Sequence, residues 1–243
     1  MTAGQNHKQP QQKIYRNEWK YYATDRQLDL LKERLLPIVP LDRYAGEDGI
    51  YLVTSLYFDD HKDTCAGEND AGDNQRFKYR IRHYGAQAGE TFKLERKEKL
   101  FGRCCKDTCT INKEQAIALS KGGAAELFWE AKDPLLRRFC LDIMRKKFEP
   151  KVVIRYERTA FSEPLTHIRI TFDKNILASP RTEGFFTGIQ DWYPVSQKQQ
   201  ILEIKFDRIL PGYIRKSMNI DRFPVTAFSK YYLGRKTIEG VYK

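Results

Sequence analysis

From Arg76 to Lys106 the chain reads RFKYRIRHYGAQAGETFKLERKEKLFGRCCK, and the opening residues of this stretch limit its fold more than any others. Arg76, Lys78, Arg80 and Arg82 alternate with Phe77, Tyr79 and Ile81, the period-two pattern of a strand whose faces differ in chemistry. Successive side chains point to opposite faces, so the four cations share one face and the apolar residues take the other. Thr91 to Lys99 alternates again. Lys93, Glu95, Lys97 and Lys99 fall on one face, with Phe92 and Leu94 opposite before Arg96 and Glu98 break the apolarity. The HYGAQAGE between the two runs has two glycines at hairpin length and predicts antiparallel pairing. Such pairing sets cations beside cations, which destabilises a sheet unless an anion lies on that face. A solvated basic face is the alternative.

The rest of the chain bounds what that anion can be. At 243 residues it is long enough for one large domain with a sizeable core. No apolar run approaches the roughly 20 residues that span a bilayer. MTAGQNHKQPQQK lacks an apolar signal core, so residues 1–13 are expected to form a disordered polar tail before a single domain at 14–243, in a cytoplasmic protein. A net charge of +11 points to polyanionic partners: nucleic acid, acidic lipid or phosphorylated small molecules. The cysteines at 65, 104, 105, 109 and 140 are odd in number and show no C-x2-C spacing, which predicts reduced thiols rather than disulfides or zinc.

Taken in order, Ile14 to Tyr22 predicts a strand with Arg16, Glu18 and Lys20 on one face and Trp19 and Tyr21 on the other. Thr24 and Gln27 fit a capping box that opens a helix with Leu28, Leu31 and Leu35 as its apolar stripe. Ile50 to Phe58 is rich in β-branched and aromatic residues and predicts a buried strand. Asp59, Asp60, Asp63 and Asp70 then read as a solvated loop, because calcium-loop spacing is missing. Helices are expected after Asn112, over 124–131 and over 135–148. Strands are expected over 151–161, 167–173 and 200–207, and a closing helix from about Ala227. Several of these strands carry one charged and one apolar face. If the helices cover the apolar faces from outside, the charged faces must point inward, into a barrel wide enough to hold a ligand.

NEWKYY, SLYFD, KYRIRHYG, FKLERK, RYERTAF, RITFD, LEIKF and FSKYYLG occur in this order from Ile14 to Gly234. The set resembles the VTC (vacuolar transporter chaperone) domain, the polyphosphate polymerase branch of the triphosphate tunnel metalloenzymes. The resemblance implies an α+β fold: an eight-stranded antiparallel β-barrel forming a triphosphate tunnel, helices packed outside, and a C-terminal helix near one tunnel mouth. It implies transfer of the γ-phosphoryl of ATP to a growing polyphosphate chain, with Mg²⁺ or Mn²⁺. The expected partners are ATP and inorganic polyphosphate, with no nucleic acid, no membrane segment in this chain, and a membrane partner left open.

Residue by residue, Glu18 and Lys20 resemble the end of the superfamily's ExExK signature, with Arg16 where its first glutamate would stand. Arg80 and Arg82 resemble the paired arginines that grip the triphosphate. Lys97 and Lys106 resemble two further tunnel lysines. Arg158 resembles the arginine of the YxRxAF strand; Arg155 is three residues away, and the two cannot both face inward on a regular strand. Glu203 resembles the metal-binding glutamate, with Glu18 as its companion and Lys205 on its own face. A salt bridge from Glu203 to Lys205 or Arg82 is the alternative. Lys230 resembles the lysine of the closing helix and is expected to project at a tunnel mouth, and Ala227 stands where a family lysine is expected. Arg80, Arg82, Lys97, Arg158 and Lys230 form the candidate catalytic set, and Arg76, Lys78 and Lys93 extend the phosphate-binding face. A tri- or polyphosphate hydrolase of the same fold and a non-catalytic polyphosphate-binding module remain as alternatives. Nucleic-acid binding rests on charge alone, because no recognition helix or RNA-stacking motif is present.

Overall fold

The computed structural model describes residues 13–46, 48–196 and 199–241. The strands are β1 (Asn17–Ala23), β2 (Ile50–Asp59), β3 (Gln75–Tyr84), β4 (Thr91–Leu100), β5 (Arg103–Asn112), β6 (Glu149–Glu163), β7 (Ile168–Ser179), the two-residue β8 (Tyr193–Pro194) and β9 (Gln200–Phe206). All pairings are antiparallel, in the order β1-β9-β7-β6-β2-β3-β4-β5, with β8 hanging from β7. Among the described residues, the two ends of this order meet at one isolated bridge. Arg16 and Cys104 exchange both backbone hydrogen bonds at 2.9 Å. The barrel is therefore wrapped fully round but joined along β1 and β5 by a single bridge rather than by a continuous ladder.

The helices are α1 (Asp25–Leu35), α2 (Thr64–Asp70), α3 (Lys113–Lys121), α4 (Ala124–Glu130), α5 (Pro134–Lys146), α6 (Gly184–Thr187), α7 (Gly212–Met218) and α8 (Lys230–Val241). Thr24 caps α1 and Asn112 caps α3, each in a reciprocal capping box with a glutamine. Asp133 caps α5, with Pro134 in its first turn. On α5, Leu135, Leu136, Phe139, Cys140 and Ile143 recur at helical spacing and are buried. Phe139 stacks on Tyr79 of β3 at 4.3 Å and meets Phe58 of β2 edge-on at 5.0 Å. Burying each such side chain contributes about 1.5–3 kcal/mol. A second apolar cluster joins α1 and α7 to β1, β7 and β9 through Leu28, Leu31, Leu35, Ile214, Ile170 and Ile204. Both clusters lie outside the strands. The helices thus claim the apolar strand faces and leave the charged faces turned inward, as the alternation requires.

The structure corrects several expectations. Asp59 is fully buried, accepts the backbone N–H groups of Asp60, Cys65 and Ala66, and receives the Tyr231 hydroxyl. Asp63 forms an ion pair with Arg235 at 2.8 Å. These aspartates tie α2 and α8 to the end of β2 rather than solvating a loop, and the loop itself contains α2. β5 was not marked as a strand by its sequence, and α8 starts at Lys230 rather than Ala227. Of the tail expected at 1–13, residues 1–12 lie outside the described residues, and Lys13 pairs with Glu98 at 2.9 Å. All five cysteines are free. Among the described residues, no helix is long and apolar enough to cross a membrane.

Candidate functional site: a basic chamber inside the barrel

The barrel encloses a chamber of about 620 Å³. Thirteen lysines and arginines line it against four carboxylates. The strand pairing explains the density of charge. Arg82 is directly opposite Lys93, Arg80 opposite Glu95, and Lys78 opposite Lys97 on β3 and β4, so the inward residues of two neighbouring strands form rungs of charge.

Three buried anionic groups organise these cations. Glu95, 1% exposed, accepts Arg80 Nε at 2.6 Å and Lys106 Nζ at 2.7 Å, with Arg82 Nη2 at 3.5 Å. Burial alone would raise its carboxyl, but Arg80, Arg82 and Lys106 outweigh that and hold it well below the carboxylate range. Asp173, fully buried, accepts Arg158 Nε and Nη2 at 2.6 and 2.8 Å and lies 2.6 Å from Lys230 Nζ. Burial pushes it up, and Arg158 and Lys230 bring it down to about 2. The third group is the pair Glu18 and Glu203. Glu18 accepts Lys97 Nζ at 2.5 and 2.7 Å, with Lys20 at 3.3 Å and Lys205 at 3.6 Å. Glu203 pairs with Lys205 at 2.6 Å. Burial and Glu203 push Glu18 up, yet Lys97, Lys20 and Lys205 hold it below its usual value. Burial also opposes ionisation of Glu203, and Lys205, Lys20, Lys97 and Lys230 more than offset it. Both carboxylates are therefore ionised.

Arg82 is poorly satisfied. It is 3% exposed, and neither its Nε nor its Nη2 has a hydrogen-bond acceptor among the described residues. Buried guanidinium donors beside a chamber can take an oxyanion bidentately. Lys78 reaches Ser229 Oγ at 3.1 Å. Burial lowers its ammonium to about 7, with Lys97, Lys20 and Arg80 adding to the effect against the opposing influence of Tyr57. Lys106 is lowered to about 8, by burial first and by Arg82 and Arg80 against the pull of Glu95.

Most residues expected at a phosphate site come together here. Lys20, Lys78, Arg80, Arg82, Lys93, Lys97, Lys106, Arg158, Lys205 and Lys230 line the chamber with Glu18 and Glu203. Arg76 lines a smaller adjoining cavity. Arg155 does not join them: it sits over the Trp192 ring at 5.3 Å, on the outer face of β6. Tyr156 and Arg158 occupy the inner face instead, as two-residue spacing dictates. Lys230 is not an exposed lysine at a mouth. It is 8% exposed and set in the wall against Asp173. Sequence reasoning did not assign roles to Asp173, Tyr57 or Arg169, and it noted Glu95 only as a member of its strand face. Tyr57 accepts from Arg80 Nη1 at 2.9 Å and stacks on Tyr231 at 5.4 Å. Arg169 lines the chamber and pairs with Asp42. Each of these is at a period-two inward position or next to one, which is the signal that could have found them.

Glu18 and Glu203 are the candidate metal ligands. They lie on paired strands, with Glu18 opposite Lys205 and Lys20 opposite Glu203, so the two carboxylates are diagonal neighbours. Among the described residues, no group of three or more His, Cys, Asp and Glu gathers for a metal. Two ionised oxygen donors suit a hard cation that takes its remaining positions from phosphate and water.

The VTC domain family matches residues 15–239. Comparison with curated proteins gives no match. Similar solved structures include bh2851 of Bacillus halodurans, described as a candidate adenylate cyclase. It is 15% identical with a TM-score of 0.48, over 86% of this chain and 91% of that one. PH1819 of Pyrococcus horikoshii OT3 is 13% identical with a TM-score of 0.43, over 90% and 97%. PH1012 of the same organism is 12% identical with a TM-score of 0.43, over 90% and 98%. Matched over residues 15–239 of 243, the chain belongs to the VTC domain family.

Proposed function

We propose that this protein is an ATP-dependent polyphosphate polymerase that moves the γ-phosphoryl of ATP onto a polyphosphate chain inside the chamber. The observation that carries this reading is the excess of buried cation, above all Arg82 with free donors in a wall of thirteen basic residues. Such a wall favours an extended, highly charged anion over a singly charged one. Family membership supports a phosphate-containing substrate.

Phosphoryl transfer asks little covalent chemistry of the protein and depends on positioning and charge stabilisation. Arg80 and Arg82 would grip the triphosphate as planar forks. Lys97, Arg158 and Lys230 would act as fixed positive charges around the transferring group. A terminal oxygen of the polyphosphate chain attacks the γ-phosphorus, the bond to the β-phosphate oxygen breaks, and the electron pair leaves on ADP. No proton needs to move in that step. Mg²⁺ or Mn²⁺ held by Glu18 and Glu203 would screen phosphate charge and orient the leaving oxygens. The ion pairs of these glutamates with Lys97 and Lys205 would exchange for metal and phosphate contacts. The free cysteines support a reducing, cytoplasmic setting.

Incubating the protein with ATP and Mn²⁺ and separating free phosphate from long-chain polyphosphate tests the reading. Long-chain polyphosphate is expected, with ADP as the second product. Free phosphate alone would replace polymerase with hydrolase, and binding without turnover would make the chain an accessory module.

A further inference from the structure

The inward row of β3 does not stay basic to its end. Arg76, Lys78, Arg80 and Arg82 are followed at the next inward position by Tyr84, the last residue of the strand before Gly85 turns the chain with φ 92°. Tyr84 lines the chamber together with Tyr44 and Tyr51. Each comes from a different segment: Tyr84 from β3, Tyr51 from β2, and Tyr44 from the loop between α1 and β2.

We propose that this aromatic rim stacks the base of a nucleoside triphosphate whose phosphates lie in the chamber, and so favours nucleoside triphosphates over inorganic tripolyphosphate. The inference rests on the ATP-dependent polymerase reading and names the part of the substrate that a basic wall cannot recognise.

Three observations support it. First, the rings offer a stacking surface. Tyr44 and Tyr84 are parallel to within 1° with centroids 6.0 Å apart, and Tyr51 meets Tyr84 edge-on at 5.9 Å. Tyr44 is 55% exposed and Tyr84 42%, which leaves ring surface open to a third flat ring. The face of an aromatic ring carries partial negative charge, so a bare polyanion gains nothing there, whereas every nucleobase has a face to stack. Second, the rim is fixed in place. The Asp42 N–H donates to the Ala160 carbonyl at 2.8 Å, and Asp42 Oδ1 accepts the Tyr44 N–H at 3.2 Å. Arg43 donates to the Tyr44 hydroxyl at 2.7 Å, and its guanidinium carbon lies 4.8 Å from the ring centroid. Tyr51 accepts from Arg169 Nη2 at 3.1 Å, and Arg169 in turn pairs with Asp42. A platform ordered in advance loses little freedom when a ligand arrives. Third, the rim adjoins the phosphate grip. Arg82 Cζ lies 6.0 Å from the Tyr84 ring centroid, so a phosphate on Arg82 and a base on Tyr84 would be joined by a sugar between them.

The test is calorimetry with tripolyphosphate and with the β,γ-imido analogue of ATP, which resists phosphoryl transfer, on wild type, Tyr84→Phe, Tyr84→Leu and Tyr44→Leu. Comparing each variant with wild type cancels the difference in charge between the two ligands. Tyr84→Leu keeps apolar bulk and removes the ring; it should weaken the ATP analogue about tenfold, the scale of one base–aromatic stack. Its affinity for tripolyphosphate should stay within about twofold, because those contacts lie deeper in the chamber. Tyr44→Leu, a change in a loop, should move the two ligands apart in the same direction. Tyr84→Phe should bind both as wild type does, because stacking needs the ring and not the hydroxyl. Equal losses for both ligands in the leucine variants, or no loss for either, would overturn the base site. Failure of wild type to bind either ligand would instead overturn the reading on which the site rests. Unchanged thermal melting of the leucine variants separates a lost contact from a lost fold.

Discussion

Lys230 Nζ lies 2.6 Å from Asp173 Oδ2, and the same carboxylate takes Arg158 through both of its oxygens. One buried anion thus fastens the first residue of α8 to β6 and β7 and aims two cations at the chamber. Removing its charge strands both of them. Asp173→Asn should lose about 3–5 kcal/mol of stability in urea, the range for breaking a buried ion pair from one side. Saturating tripolyphosphate should recover part of that loss by binding the folded form. An unchanged urea midpoint would deny Asp173 this role.

Arg82 and Arg80 differ in what they already hold. Arg80 is bonded to Glu95 and Tyr57, whereas Arg82 makes no hydrogen bond through Nε or Nη2 among the described residues and meets Glu95 only at 3.5 Å. Arg82→Ala should weaken tripolyphosphate binding by about 1.5–3 kcal/mol. Arg80→Ala should weaken binding similarly and also lower the melting temperature, because it leaves Glu95 short of a partner. Calorimetry and thermal melting on both variants separate the two effects. Full affinity in both would remove these residues from the site.

Glu203→Gln keeps the size of the side chain and removes its charge. Its partner Lys205 is about a third exposed, so water can take over that contact. The variant should melt near wild type while losing metal-dependent turnover across a Mn²⁺ titration. A wild-type titration curve would reduce Glu203 to a salt-bridge partner of Lys205.

Lys78 and Lys106 sit at about 7 and about 8 rather than 10.5. Both are depressed bases, so the folded, ligand-free protein binds fewer protons than the unfolded chain between those values and the unfolded one. The cost of burying them is felt below the folded values and relieved as pH rises. A polyanion reverses the preference by favouring the charged ammonium, so binding takes up protons near pH 7–8. Thermal stabilisation by tripolyphosphate should shrink as pH rises from 7 to 9. Lys106→Arg, which stays charged throughout, should flatten that decline. Calorimetry in buffers of different ionisation enthalpy measures the proton uptake directly.

The inward face of β3 was legible because four cations at period two leave only one arrangement that helices can cover. The same rule set Glu18 with Lys20, Lys97 with Lys93 and Lys99, and Glu203 with Lys205 on the charged faces of their own strands, and the resemblance to the VTC domain is what implied that these faces share one site. β5 was not legible: RCCKDTCTIN has no sustained apolar alternation, and its pairing with β4 supplies what its own sequence lacks. The aspartates at 59 and 63 read as loop residues because their partners, Tyr231 and Arg235, lie more than 170 residues away. Asp173 closes a strand in sequence, and only the fold shows it between Arg158 and Lys230. Anions inside a basic tunnel look like ordinary surface pairing until the sheet curls round them.

That curl ends in an uneven join. Among the described residues, backbone bonding between the β1 and β5 ends amounts to the Arg16–Cys104 pair, and two net hydrogen bonds contribute only about 1–3 kcal/mol. Beside them, Glu18 grips Lys97, and Lys13 and Tyr15 both grip Glu98. The tube is a zip with ionic teeth along one edge and a woven ladder everywhere else. Among the described residues, this is the seam whose closure depends on side-chain ion pairs more than on backbone hydrogen bonds.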